Sequence, residues 1–109
     1  MKADKIIDAV CVSMGLKREI LNSDTRVQEY TWGRFIAVHL IKQKHDDITW
    51  KAIGMEFNRE TNSAHCFAIH ANKRFKDLME VDKSFQKKFL KVTQDMQLDP
   101  INFTSVSQL

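Results

Sequence analysis

The side chains best equipped for chemistry are four histidines and two cysteines: His39, His45, His65 and His70, with Cys11 and Cys66. Their spacing argues against catalysis. His65 and His70 stand at i and i+5, off the three- or four-residue repeat that puts two ligands on one helix face. The cysteines lie far apart and form no CxxC pair, as expected of two reduced, partly buried thiols. There is no glycine-rich phosphate loop, and no Ser or Cys sits in a nucleophile elbow. The chain therefore reads as a non-enzyme that needs no cofactor, metal or small-molecule substrate. A second group is more informative. Thr49, Lys51, Arg59, Asn62, Ser63, His65, Cys66, Lys73 and Arg74 crowd one stretch. Hydroxyls, amides and cations of this kind contact phosphates and base edges. Seventeen Lys and Arg against fourteen Asp and Glu, a formal charge of +3, lean mildly toward a polyanionic partner.

The elements that must position these groups are helical. One Pro and three Gly in 109 residues disfavour a turn-rich β fold. Ile6, Ile7, Val10, Cys11 and Met14 recur at helical spacing from Asp4 onward, and Gly15 is a natural stop. A short helix follows over Lys17 to Leu21, then a loop at Asn22-Ser23-Asp24. A helix from about Val27 or Thr31 to Lys44 is apolar on more than one side, which predicts the centre of the bundle. Asp46 and Asp47 are expected to cap a helix from Ile48 to Phe57. A polar turn leads to a long helix, about Thr61 to Met79, with Ala64, Ala68, Ala71, Phe75 and Leu78 on its packing face. A last helix, Asp82 to Met96, sets Phe85, Phe89, Leu90 and Val92 against Lys83, Lys87, Lys88 and Lys91. This is an all-α, five- or six-helix bundle over residues 4–97, with 98–109 expected to be a flexible tail. Trp32 and Trp50 are expected to be core or half-buried. Without a signal-peptide core or an apolar run near ~20 residues, a cytoplasmic location is expected and no membrane association.

Within the bundle, residues 46–78 have the anatomy of a helix-turn-helix: a short helix holding Ile53-Gly54, a turn of about four to six residues, and a longer helix with a polar outer face. Several blocks resemble the C-terminal DNA-binding domain (domain IV) of the bacterial replication initiator DnaA, a Trp-repressor-like fold. Ile6-Ile7-Asp8-Ala9-Val10 and Gly15-Leu16-Lys17 look like its opening helix and "GL-x-x-x-x-L" second helix. Arg26, then Arg34-Phe35-Ile36-Ala37-Val38-His39-Leu40, is similar to "PRQ-I/V-A-M-Y-L". Ile48 to Phe57 is similar to "L-x-x-IG-x-x-F". His65-Cys66-Phe67-Ala68-Ile69-His70-Ala71-Asn72-Lys73-Arg74-Phe75 lines up with "H-S/T-T-V-I/L-x-A-x-K/R-K-I". The departures are equally specific. The family's tight "GG-R/K-D-H" turn is replaced by Asn58 to Ala64, about three residues longer and without glycines. Its acidic residue and two hydroxyl residues fall on Ala64, Cys66 and Phe67.

The resemblance implies duplex DNA as partner, with the scaffold retained and the initiator's own sequence preference lost. It places Arg34 where the family has an arginine reaching toward the minor groove, and His65 near the start of the recognition helix. Lys51, Arg59, Lys73, Arg74 and Thr49 become candidates for phosphate contact. Asn62 and Ser63 are read as caps or base readers, and Cys66 as a contact beside them. His70 is expected to pack on the third helix, and Phe67 into the longer turn. Two rival readings remain. One is a protein-interaction module that has lost DNA readout, which an apolar patch at Cys66, Phe67 and Ile69 would favour. The other is a phage or mobile-element regulator.

Overall fold

Helix α1 (Ala3–Met14) buries Ile6, Ile7, Val10 and Cys11 along one stripe. It stops at Gly15, whose left-handed φ of 70° lets its N–H return to the Cys11 and Val12 carbonyls. The computed structural model describes residues 2–97. Helix α2 (Arg18–Leu21) is a single turn that contributes Leu21 to the core. Arg18 ties it to α1 through Asp4 (3.0 Å) and Asp8 (2.6 Å), and donates to the Glu56 carbonyl. Helix α3 (Gln28–Lys44) buries Gly33, Ile36, Ala37, Val38, Leu40 and Ile41 and packs on α1, α2, α4 and α5. Apolar residues around most of its circumference are what a central helix needs.

Helix α4 (Trp50–Met55) and helix α5 (Thr61–Val81) are joined by Glu56 to Glu60. Helix α6 (Lys83–Gln97) starts where the Asp82 carboxylate accepts from the Phe85 N–H at 3.0 Å. It packs Phe85, Val92 and Met96 back toward α1 and α5. An aromatic cluster joins the last helices to α3: the Phe75 ring stacks on His39 at 3.8 Å and meets Phe85 and Phe89 edge-on. Trp32 meets Phe85 edge-on as well, and Trp32 and Trp50 are both partly buried. Among the described residues the fold is all-α, with six helices and no strand.

Three local readings are corrected. Helix α4 is capped by Thr49, whose hydroxyl accepts from the Ala52 N–H at 3.1 Å, and not by Asp46 or Asp47. Lys42 Nζ bonds the Asp46 and Ile48 carbonyls, so the α3–α4 connection turns before the cap can form at the aspartates. His70 is exposed, because the buried face of α5 is taken by Ala64, Ala68, Ala71 and Phe75, with Phe75 meeting α3 at His39. Cys66 is also exposed, whereas Cys11 is buried; both are free thiols, and burial pushes the Cys11 thiol up from its ordinary pKa. The expected tail, 98–109, lies outside the described residues.

Candidate nucleic-acid interface

The crossing of α4 over α5 sets the geometry of the site. Gly54 and Ala64 meet with no room between them: a Cβ on Gly54 would fall 2.2 Å from the Ala64 carbonyl oxygen. Small residues on both helices allow this approach, and Ile53, Phe57 and Ala68 close the core around it. The connection turns at Asn58, which takes the left-handed conformation with φ 60°; Asn tolerates that region better than most residues. Of the stretch read as a turn longer than the family's, Asn58 to Ala64, only Asn58 to Glu60 lies outside the helices. Thr61, Asn62 and Ser63 are helical, as expected of a helix starting at about Thr61, so the non-helical connection is confined to Glu56 to Glu60. His65 consequently lies in the second turn of α5, and Asn62 occupies the first.

The outer face of α5 presents Asn62, His65, Cys66, Ile69, His70 and Lys73, all exposed. Ser63 is exposed too, although its hydroxyl donates to the Glu60 carbonyl at 3.2 Å. Asn62 is exposed and is not the cap; the N-cap residue is Glu60, whose side chain makes no cap bond. Lys51 is exposed on α4, and Arg74 is half-committed to Asp77 at 3.7 Å. Thr49 is spent on the α4 cap. Ala64 is fully buried in the crossing. Phe67 packs on Phe57 with Arg59 over its ring at 4.5 Å, as expected of a residue filling the turn. Of the three positions that depart from the family signature, only Cys66 faces solvent.

The two arginines at the edge of this face are not presented to solvent as the sequence suggested. Arg34 is 6% exposed. Its Nε donates to the Leu21 carbonyl, Nη1 to Thr25 and Nη2 to Ser23, each at 2.8 Å. Burial and the nearby Arg59 charge lower its pKa, which Asp24 partly offsets. A guanidinium that has lost its water needs all these partners, so the planar fork is used up inside the protein. Arg59 reaches the same loop from the other side, donating to the Asn22 carbonyl (2.9 Å) and the Ser23 carbonyl (3.2 Å) and lying 3.8 Å from Asp24. The two side chains clasp the α2–α3 loop against the turn that launches α5. Arg26, on that loop, is exposed and has no hydrogen bond or ion pair to a described residue; sequence reasoning singled out Arg34 and passed over it.

A short helix crossing closely over a long one, with a polar outer face on the second, defines a helix-turn-helix domain of the DNA-binding kind. The profile of the bacterial dnaA protein helix-turn-helix family matches residues 3–74. The chain belongs to that family, which binds DNA. It is 34% identical over 83 residues to the chromosomal replication initiator protein DnaA of Bacteroides thetaiotaomicron, and 32% identical over 83 residues to that of Bacteroides fragilis. Each match covers 76% of this chain but only 17% of the relative, so the chain spans about a sixth of their length. No solved structure matches it significantly. No helix among the described residues is long and apolar enough to cross a membrane.

Proposed function

We propose that this chain binds duplex DNA sequence-specifically by laying the first turns of α5 in the major groove. The observation that carries the reading is the outer face of α5. Asn62, His65, Cys66, His70 and Lys73 all project from it without a role in the core. An amide near the helix start can pair bidentately with adenine, and an imidazole can donate to a base edge or phosphate. Lys73, about two to three turns further on, and Lys51 on α4 are placed to meet phosphates. With α5 starting at Thr61, Asn62 in its first turn is the leading base reader and His65 in its second turn the next. The cytoplasm, where chromosomal DNA is accessible, is the corresponding location. A role in replication initiation extends the printed function of the Bacteroides relatives to a chain that shares only a sixth of their length.

One observation favours a rival. Ile69 is 42% exposed, and with Cys66 it puts apolar atoms on the outer face of α5. A thymine methyl can use such atoms, but so can a protein partner. Fluorescence anisotropy against mixed-sequence duplexes separates the two. DNA binding gives affinity that falls steeply as salt rises, because neutralised phosphates release counterions. A protein-interaction module gives no duplex binding at ~50 mM salt.

A further inference from the structure

We propose that Cys66 and His70 form a two-ligand site for a thiophilic divalent cation, Zn2+ or its like, on the outer face of α5, and that filling it shuts this face to DNA. The second half rests on the duplex-binding reading above; the site itself does not. His65 and His70 stand at i and i+5, off the helical repeat. Cys66 and His70 stand at i and i+4, the spacing that brings two side chains together on one helix face with Cβ atoms about 6 Å apart. Thiolate and imidazole are donors that zinc takes readily, with bonds of about 2.3 Å to sulfur and about 2.0 Å to nitrogen. The family signature has a hydroxyl residue where Cys66 stands, so the soft donor is a departure of this chain.

The helix holds the pair ready. Ala64, Ala68 and Ala71 are buried on the inner side of α5. Cys66 is two residues from Ala64 and from Ala68, about 200° round the helix, and both Cys66 and His70 are exposed. The pair lies in the body of a 21-residue helix anchored by the Gly54–Ala64 crossing, so no folding has to accompany binding. Neither side chain has a hydrogen bond, ion pair or ring contact with a described residue, so no contact has to be broken to free it. Coordination displaces water from the ion and the Sγ proton, which leaves to solvent as the sulfur–metal bond forms. Among the described residues no third His, Cys, Asp or Glu joins the pair, so the site is open and water completes it. Asn62, one turn before Cys66, offers only an amide oxygen, a donor suited to Mg2+ or Ca2+ and not to a thiophilic ion.

The same two side chains belong to the face proposed to enter the groove. A helix with its side chains is about 10–12 Å across and the major groove about 12 Å wide. That leaves no slack for an ion and its waters between α5 and the base edges, so metal and duplex compete. With free Zn2+ at about ten times its own dissociation constant, the competition weakens duplex binding about tenfold.

The test uses the full chain with its thiols kept reduced. Co2+ is the probe for the site, because a coordinated thiolate gives a near-ultraviolet charge-transfer band. The wild type is expected to show that band. Cys66→Ser, which retains Cys11, is expected to lose it, and His70→Ala to bind cobalt much more weakly. His65→Ala, which removes the imidazole off the repeat, is expected to bind cobalt as the wild type does, and Mg2+ to leave the band unchanged. Absence of the band from the wild type overturns the site. So does a band of wild-type affinity in His70→Ala, which would mark a lone thiol. Duplex anisotropy with and without Zn2+ tests the second half, each variant being compared with itself. The wild type is expected to lose about tenfold in affinity, and Cys66→Ser and His70→Ala to respond little. A wild type that binds cobalt but whose duplex affinity is indifferent to Zn2+, or rises with it, overturns the competition. A wild type that binds cobalt but no duplex at ~50 mM salt supports the site and removes the duplex-binding reading, and the competition with it.

Discussion

Gly54→Ala isolates the helix crossing on which the interface depends. In an open helix this change would stabilise by about 1 kcal/mol, because Ala restricts the unfolded chain and favours helix. Here the added methyl would lie 2.2 Å from the Ala64 carbonyl oxygen, 2.6 Å from its carbonyl carbon and 2.7 Å from its Cα. Ordinary contact is about 3.5–4.0 Å, so α4 and α5 must separate by more than an ångström. All three obstructing atoms are backbone, and no rotamer change can relieve them. Gly33 offers the contrast: its added methyl would meet the ends of Leu16 and Leu21, which can swing away. Overpacking costs about 1–3 kcal/mol; taking its upper end against the helix gain leaves a net loss of about 2 kcal/mol. For a domain of this size that is a drop of roughly 8–16 °C in melting temperature. Circular dichroism melts of Gly54→Ala and Gly33→Ala check it. A Gly54→Ala protein melting at or above wild type would refute the close crossing, and with it the placement of α5.

Four further outcomes are expected. Arg34→Ala should lose on the order of 3 kcal/mol in urea unfolding, since the Leu21 and Thr25 carbonyls lose a donor and the Ser23 carbonyl is left to Arg59 alone; a loss under ~1 kcal/mol would show that the clasp is not structural. Burial first, and Lys76 second, lower the His39 pKa below the ordinary imidazole value, against an opposing contact with Asn72 at 3.3 Å. The fold therefore prefers neutral His39: stability should be level above about pH 6.5 and fall as pH drops below it, where the unfolded chain takes up the proton first. His39→Phe should flatten that fall, and an unchanged pH profile would count against the stacked neutral ring. Lys73→Ala should weaken all duplexes about equally and reduce the salt slope by about one contact, as base-variant libraries would show. Ala71→Asp should unfold the domain, because it buries an unpaired charge against α3; a folded, DNA-competent variant would mean the packing face is misassigned.

The helices were legible because their signals are local and redundant. The stripe of Ile6, Ile7, Val10 and Cys11, the stop at Gly15 and the alanine spacing of α5 each state a helix and its buried side in a few residues. The α4 cap was misplaced because Thr49, Asp46 and Asp47 all satisfy the same local rule, and a tertiary contact decided among them: Lys42 binding the Asp46 and Ile48 carbonyls. The arginines failed for a related reason. An arginine that reaches out and one that folds back have the same sequence signature. Arg34 and Arg59 fold back because carbonyls of residues 21–25, nine or more positions away, converge on them. The start of α5 at Thr61 was legible in the sequence; that Ala64 would be buried against Gly54 was not, because it depends on how closely α4 crosses α5.

The measurement that bears most directly on the proposed function is a selection of this chain against randomised duplex DNA, repeated at two salt concentrations, with Asn62→Ala alongside. The expected result is an enriched, bounded motif retained at both concentrations, with overall binding weaker at the higher one, and loss of preference at one or two positions of that motif in Asn62→Ala. No enrichment over the input pool at ~50 mM salt, or a motif indifferent to Asn62→Ala and His65→Ala alike, would contradict the claim that the first turns of α5 read DNA.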